Sequence, residues 1–403
     1  MSASSPALQS WQTAFDAQQD RSADQQRAFT DFLARGLPTT KLDTWKYTDL
    51  RRLAMRQFQL GTGSIATPDA EALLLPLKNC RPLLFVDGAL QRNQQALIKE
   101  NVVVRADAFD LLNAAFSKNT THIEIDGQSA QPIYIAYVWT QNANALMTHP
   151  RVRVTLADNS KATLIEHHVG LNENANFTNA ILDIDVREHA ALEHVRVQDD
   201  APANFNIGSI WATVARGASY INHHYVSGGG LARTDINVRL VGEDAQTELH
   251  GLIFARHTQH LDVRTCIDHQ APNTRSREDY RGIADDRGRV VFNGKVIVAK
   301  DAQRTDAAQS SRNLLLSPHA EIDTRPELEI YANDVKCAHG ATVGQLDAAA
   351  LFYLRSRGID RDEARALLTQ AFAAEVIERV PVPAVREHMM AQFLKRMRAG
   401  SAQ

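Results

Sequence analysis

Two side chains able to bind soft metals stand two positions apart near the end of the chain, Cys337 and His339, inside the run 333–344. In an extended chain, side chains at i and i+2 project from the same face. If this run is a strand, Cys337 and His339 offer a thiolate and an imidazole to one partner, a pairing suited to iron, zinc or sulfur chemistry. A closed metal site usually takes four ligands. Two are too few, so either the others come from elsewhere in the fold or from another chain, or the pair only packs.

The remaining metal-binding candidates are weaker on geometric grounds. The chain has 15 histidines, with adjacent pairs at His167 and His168 and at His223 and His224, and a looser group of His250, His257, His260 and His269. Neighbours on a strand face opposite ways, so each pair puts one ring on each face and cannot chelate as a unit. These rings read as packed or surface histidines. Cys266 and His269 face apart in a strand, so Cys266 reads as a small buried apolar residue, and Cys80 likewise. Carboxylates in 301–307 could line a solenoid face as in sugar-acid lyases, but nothing pairs them, and capping of turns is the plainer reading. Asn293 to Val296 holds a glycine and a lysine without the rest of a Walker A loop, so the chain is expected to bind no ATP itself. GxGxxG, GxSxG, HExxH and CxxC are absent too. The sequon at Asn176 is given no weight.

The elements that must position Cys337 and His339 fall into three regions. At 403 residues, 44% hydrophobic and 23% charged, the chain has the composition of a soluble globular protein long enough for more than one structural unit. A formal net charge of -3 argues against a nucleic-acid partner. Three widely separated cysteines fit a reducing compartment. There is no leader-like start and no run of about 18 apolar residues. A cytoplasmic location without membrane contact is therefore expected.

Region 1–82 reads as helical: Leu8, Trp11 and Phe15, then Phe29, Phe32 and Leu33, recur at helical steps before Gly36 and Pro38 stop the pattern. Trp45 and Tyr47 flank Lys46 and read as a packing plug at a junction. In region 83–344 the period changes to that of strands, beginning with a hairpin around Asp87 and Gly88. Short alternating segments follow at 133–138, 151–156, 162–168, 180–186, 191–197, 209–214, 219–226, 234–240, 247–254, 260–267, 289–298 and 327–331, and helix signals nearly vanish. So long a series favours a solenoid over a sandwich or barrel, because a β-helix adds coils by stacking each on the last. No strict sequence repeat supports it. The triple glycine at 228–230 reads as a turn. Region 345–403 returns to helix, with segments at 346–357, from Asp360 to about Arg379, and at 384–398. In the last, Met389, Met390, Phe393 and Met397 form a stripe that is either core or a docking surface.

The carboxyl half also resembles a known family. The runs that carry the likeness are Tyr-Arg-Gly at 280–282, Val-Phe-Asn-Gly-Lys at 291–295, Ala-Gln-Arg-Thr-Asp at 302–306, Gln309 and Asn-Leu-Leu-Leu-Ser at 313–317. They continue with Arg-Pro-Glu-Leu-Glu-Ile at 325–330, Asp-Val-Lys-Cys-Ala-His-Gly-Ala-Thr at 334–342 and Leu-Phe-Tyr-Leu-Arg-Ser-Arg-Gly at 351–358. In order and spacing they resemble the SufB/SufD family of iron-sulfur cluster assembly proteins. Trp-Lys-Tyr-Thr at 45–48, and Gly340 where the SufB branch typically carries glutamate, point to the SufD branch.

The resemblance implies a mainly β fold, a right-handed parallel β-helix flanked by helical regions at both ends. It implies a non-catalytic scaffold that pairs with SufB and with two copies of the ATPase SufC; the sequence leaves open a homodimer when SufB is absent. It further implies that the carboxyl-terminal helices, at Leu351, Phe352, Tyr353 and Leu354, dock SufC. His339, and less securely Cys337, would contribute to a transient iron-sulfur cluster shared with SufB. Two other readings stand beside this one. The first is a structural interaction protein whose Cys337 and His339 only pack. The second is a β-helix enzyme acting on polysaccharide, which the missing leader disfavours.

Overall fold

In the computed structural model, residues 5–63, 68–77, 80, 82–91, 97–99, 104–117, 119–170 and 173–398 are described. The extreme amino terminus, read above for a leader, begins outside them. Apolar residues at alternate positions turn inward from two parallel sheets that face each other. The chain visits the sheets in turn. One sheet carries Arg151–Leu156, Ile181–Val186, Phe205–Val214, Leu231–Leu240, His260–His269, Arg289–Val298 and Glu321–Ile330. The other carries Ile133–Trp139, Lys161–Gly170, Ala191–Asp199, Ser219–Val226, Gln246–Ala255, Arg275–Ala284, Thr305–Leu315 and Val335–Gly344. This is the expected parallel β-solenoid. Equivalent residues of successive coils stack in register, as Leu156, Val186, Val214 and Leu240 do, all buried. The predicted hairpin forms between Leu83–Val86 and Ala89–Leu90.

The repeat that the side chains do not show is present in the backbone. Asn159, His189, Gly217, Asp244, Asn273 and Arg304 all have φ between 57° and 61°, a left-handed conformation that Gly, Asn and Asp enter most readily. Each occupies the same corner of its coil, and its N–H donates to a carbonyl of the next coil, from Asn159 to Glu188 through to Arg304 to Asp334. A Cβ at Gly217 would also overlap the His189 ring.

The helical ends form as expected. Pro6–Asp16 and Ala23–Arg35 bury Trp11, Phe15, Phe29 and Phe32 in an aromatic cluster, and Ser22 with Gln25 makes a reciprocal capping box at the second helix. Trp45 is buried between the Arg233 guanidinium, 3.7 Å from its ring centroid, and Phe109, so it is the packing plug anticipated. Asp360 caps Arg361–Ile377. The methionine stripe of Pro383–Arg398 is core: Met389 and Phe393 are buried with Val376 and Ile377 against Leu252, Phe254 and Leu314 of the solenoid wall.

The structure corrects the expectation that helix is nearly absent from 83–344. Ala108–Phe116 is a helix capped by Asp107, and all nine of its residues are buried. At nine residues it is too short for helical periodicity to stand out between strand-like segments. Strands Arg275–Ala284 and Thr305–Leu315 were not anticipated either, because inward Glu278, Tyr280, Gln309 and Ser311 break the apolar alternation although all four are buried.

Candidate functional site

Val335–Gly344 is the last strand of its sheet. It pairs with Thr305–Leu315 along one edge, and among the described residues no strand lies along the other. Glu321–Ile330 ends the opposite sheet in the same way. The solenoid therefore stops on two open parallel edges of ten residues each, with backbone donors and acceptors available for pairing. Cys337 and His339 lie on this final coil. Val335 and Cys337 pack against the apolar interior, and strand alternation puts His339 on the same face. Cys337 is half-buried and His339 exposed, because no further coil covers them.

Behind this coil the interior is polar. Cys337 is in register with Ala307 and His339 with Gln309. Gln309 donates from Nε2 to Glu278 Oε2, and both residues are buried. Burial pushes the Glu278 carboxyl up to about 7, against hydrogen bonds from Thr265 and Gln309. Gly294, from the opposite sheet, makes room for this pair: a Cβ there would overlap Gln309 Nε2 and lie 2.9 Å from Glu278 Oε2. The terminal coil is tied down by Asn313 Nδ2 to Thr342 O at 3.0 Å, by Lys295 to Glu329 at 2.7 Å and by Arg325 to Asp43 at 2.8 Å.

Burial also raises the pKa of the Cys337 thiol, so a metal captured there would displace its proton. Among the described residues no three His, Cys, Asp or Glu side chains are grouped to hold a metal ion. Cys337 and His339 suit iron by chemistry and fall short of a closed site by number. The other two cysteines are free as well. Burial raises both, Cys266 to about 11, so neither is a ready thiolate.

The adjacent histidines divide between faces as their spacing requires. His167 packs outward on His388, whereas His168 turns inward to Glu166 Oε1 at 2.7 Å. His223 contacts Glu193 and His250 on the outside, and His224 lies inside, 2.9 Å from Arg196 Nη1. Inspection of the sequence missed that Glu166, His168, His194, Arg196 and His224 form one buried network. Arg196 lies 28 residues from both His168 and His224, so the coil length was the signal that would have revealed it.

Of the residues expected to meet a partner, Phe352 and Tyr353 are 74% and 57% exposed. Leu351 and Leu354 are half-covered, and their helix Ala348–Ser356 buries no residue.

A family model described as "SUF system FeS cluster assembly, SufBD core domain" matches residues 138–372. The chain belongs to the SufBD family. The iron-sulfur cluster assembly protein SufD of Escherichia coli is 34% identical to it, over 99% of this chain and 98% of that protein. An iron-sulfur cluster assembly SufBD family protein of Synechocystis is 29% identical over 87% of this chain and 85% of its own length. Protein ABCI7, chloroplastic, of Arabidopsis thaliana is 34% identical over 64% of this chain and 55% of its own length. The chain is thus a SufD-like protein of the SUF system for iron-sulfur cluster assembly. The SufBD core match begins at the end of Ile133–Trp139, takes in every later strand of the solenoid and ends within the helix Arg361–Ile377. No helix among the described residues is long and apolar enough to cross a membrane.

Proposed function

We propose that this SufBD-family chain is a non-catalytic scaffold subunit that pairs with SufB through the open end of its solenoid and contributes His339, seconded by Cys337, to the site where a nascent cluster is built. The observation that carries the reading is the position of Cys337 and His339. They stand on the last coil, on the inward face, beside an unpaired edge. A cluster is cargo here, held between chains, which accounts for two donors where four are needed.

In the same reading the chain divides at 1–82, 83–344 and 345–403. The last region docks the ATPase SufC, present in two copies, through Leu351, Phe352, Tyr353 and Leu354. A groove of about 360 Å³ lies just ahead of the helix Ala348–Ser356 in the chain, with Val343, Leu346, Leu368 and Phe372 beside Arg312 and Asp347, and it offers a second, mixed surface near the exposed Phe352 and Tyr353. A cytoplasmic setting follows from three free cysteines. The same open edges leave room for a homodimer when SufB is absent.

Two measurements test this. Coexpression of the tagged chain with untagged SufB and SufC should give a native mass of one chain, one SufB and two SufC; recovery of the chain alone, or only with itself, would overturn the scaffold assignment. His339→Ala should leave that mass unchanged and sharply reduce cluster build-up. Unchanged build-up would leave Cys337 and His339 with a packing role only.

A further inference from the structure

A second site is visible on the sheet that does not carry Cys337. A cleft of about 730 Å³ opens between the 47–56 segment and the solenoid wall. Arg51, Arg52, Arg56, Arg287 and Arg289 line it, with Asp49 as the one lining carboxylate. In a chain whose formal net charge is -3, five guanidinium groups around one concavity are not background.

Their pairing shows how much positive charge is left. Arg51 is spent on Asp49, at 2.6 Å, and Arg289 on Asp323 and Glu321, at 2.6 and 3.1 Å. Arg52 is held by neutral groups, the carbonyls of Gly230 and Thr258, at 3.3 and 3.1 Å, so it is positioned without being neutralised. Arg56 and Arg287 have no carboxylate partner among the described residues. His260, also lining the cleft, adds no charge near neutrality, because burial lowers it to about 4. Three guanidinium groups thus line the cleft without a carboxylate partner, and guanidinium is the side chain best suited to phosphate oxygens.

The floor is different in kind. Half-buried Tyr47 and Met55, 70% exposed, give it apolar surface, with Phe205 and Leu231 buried beneath. Cationic rim, apolar floor and a volume within the usual range for small-ligand sites together describe an amphipathic anion. We propose that this cleft binds a phosphorylated small molecule of the nucleotide class, with its phosphates on Arg52, Arg56 and Arg287 and its flat body against Tyr47 and Met55. The inference does not rest on the cluster-building role, and it departs from the expectation that the chain binds no ATP, which rested on the missing Walker A loop alone.

The probes are ADP and inorganic pyrophosphate, titrated calorimetrically into the isolated full-length chain at physiological salt. One saturable ADP site is expected, with pyrophosphate binding more weakly and competing. Arg287→Ala should weaken ADP roughly tenfold, the loss of one charge-assisted contact, and the double variant Arg56→Ala with Arg287→Ala further. Both residues are at the surface, so the unliganded melting temperature should not move. No saturable binding, binding indifferent to these substitutions, or a stoichiometry well above one would each overturn the proposal. Equal affinity for pyrophosphate and ADP would overturn the nucleotide assignment, because the apolar floor would then contribute nothing.

Discussion

Arg196 Nε lies 3.2 Å from Glu166 Oε2 inside the solenoid, and each side chain is no more than 3% exposed. Burial alone would raise the Glu166 carboxyl; Arg196, with hydrogen bonds from His168 and His194, instead holds it well below the usual range. Removing one partner of such a pair leaves an uncompensated buried charge, which costs about 3–5 kcal/mol. Arg196→Ala should therefore lower stability by about that amount in urea unfolding. The double variant Glu166→Gln with Arg196→Met should recover part of the loss. A loss below about 1 kcal/mol for the single variant would mean that water reaches the network.

Gly294 is the contact that lets Gln309 reach Glu278. Its alanine variant must displace the Gln309 side chain, and overpacking of this kind costs about 1–3 kcal/mol. Because Gln309 is the register partner of His339, the change should also be felt at the terminal coil. Amide exchange on Val335–Gly344 should accelerate in Gly294→Ala, and unchanged protection would uncouple the interior pair from the edge.

Phe352 and Tyr353 are exposed, so charge there should leave folding intact. Phe352→Glu with Tyr353→Glu should keep the melting temperature within about 1 °C, since surface changes are usually worth less than about 0.5 kcal/mol. The same variant should lose copurification with SufC. Retained copurification would move the docking face elsewhere on the chain.

Phe393 makes the opposite case. It is buried against Phe254, with ring centroids 5.1 Å apart. Phe393→Ala should destabilise by about 3–5 kcal/mol. A neutral result would show that the last helix is only loosely attached to the solenoid.

Acid should weaken the fold before it reaches the carboxylates. Burial lowers His149, His260 and His269 to about 4 and His167 to about 3. From about pH 6.5 downward, the unfolded chain binds a proton at each that the folded chain refuses. Stability then falls by up to about 1.4 kcal/mol per pH unit per ring. Asp110 and Glu278 work in the other direction. Burial raises both to about 7, so the folded state binds more protons than the unfolded one above about pH 4, and their contribution is lost as pH rises towards 7. Four rings outweigh two carboxyls, so the urea midpoint should be lower at pH 5 than at pH 7. An equal or higher midpoint at pH 5 would show that these rings are hydrated.

Cys337 and His339, the parallel solenoid, the helical ends and the buried Trp45 were legible in the sequence because each depends on local order. Alternation of period two marks a strand whether or not its neighbours are known, and the spacing of Cys337 and His339 fixes a shared face on any strand. The helix Ala108–Phe116 was not legible, since nine residues are too few for helical spacing to stand out among strands. Nor were the strands whose inward residues are Glu278 and Gln309, because polar residues inside a core look like surface until their partners are known. The choice between core and docking for Met389 and Phe393 likewise needed the wall they pack against.

What the sequence determined by itself was therefore the set of local conformations and the family they belong to. Tertiary structure alone decided which groups of distant coils meet. Glu166, Arg196 and His224 become one network only when coils stack in register, and Arg52 meets Arg287 only when the amino-terminal segment lies on the wall. Contacts between residues a coil or more apart depend on the summed lengths of every intervening turn, and no single stretch of sequence carries that sum.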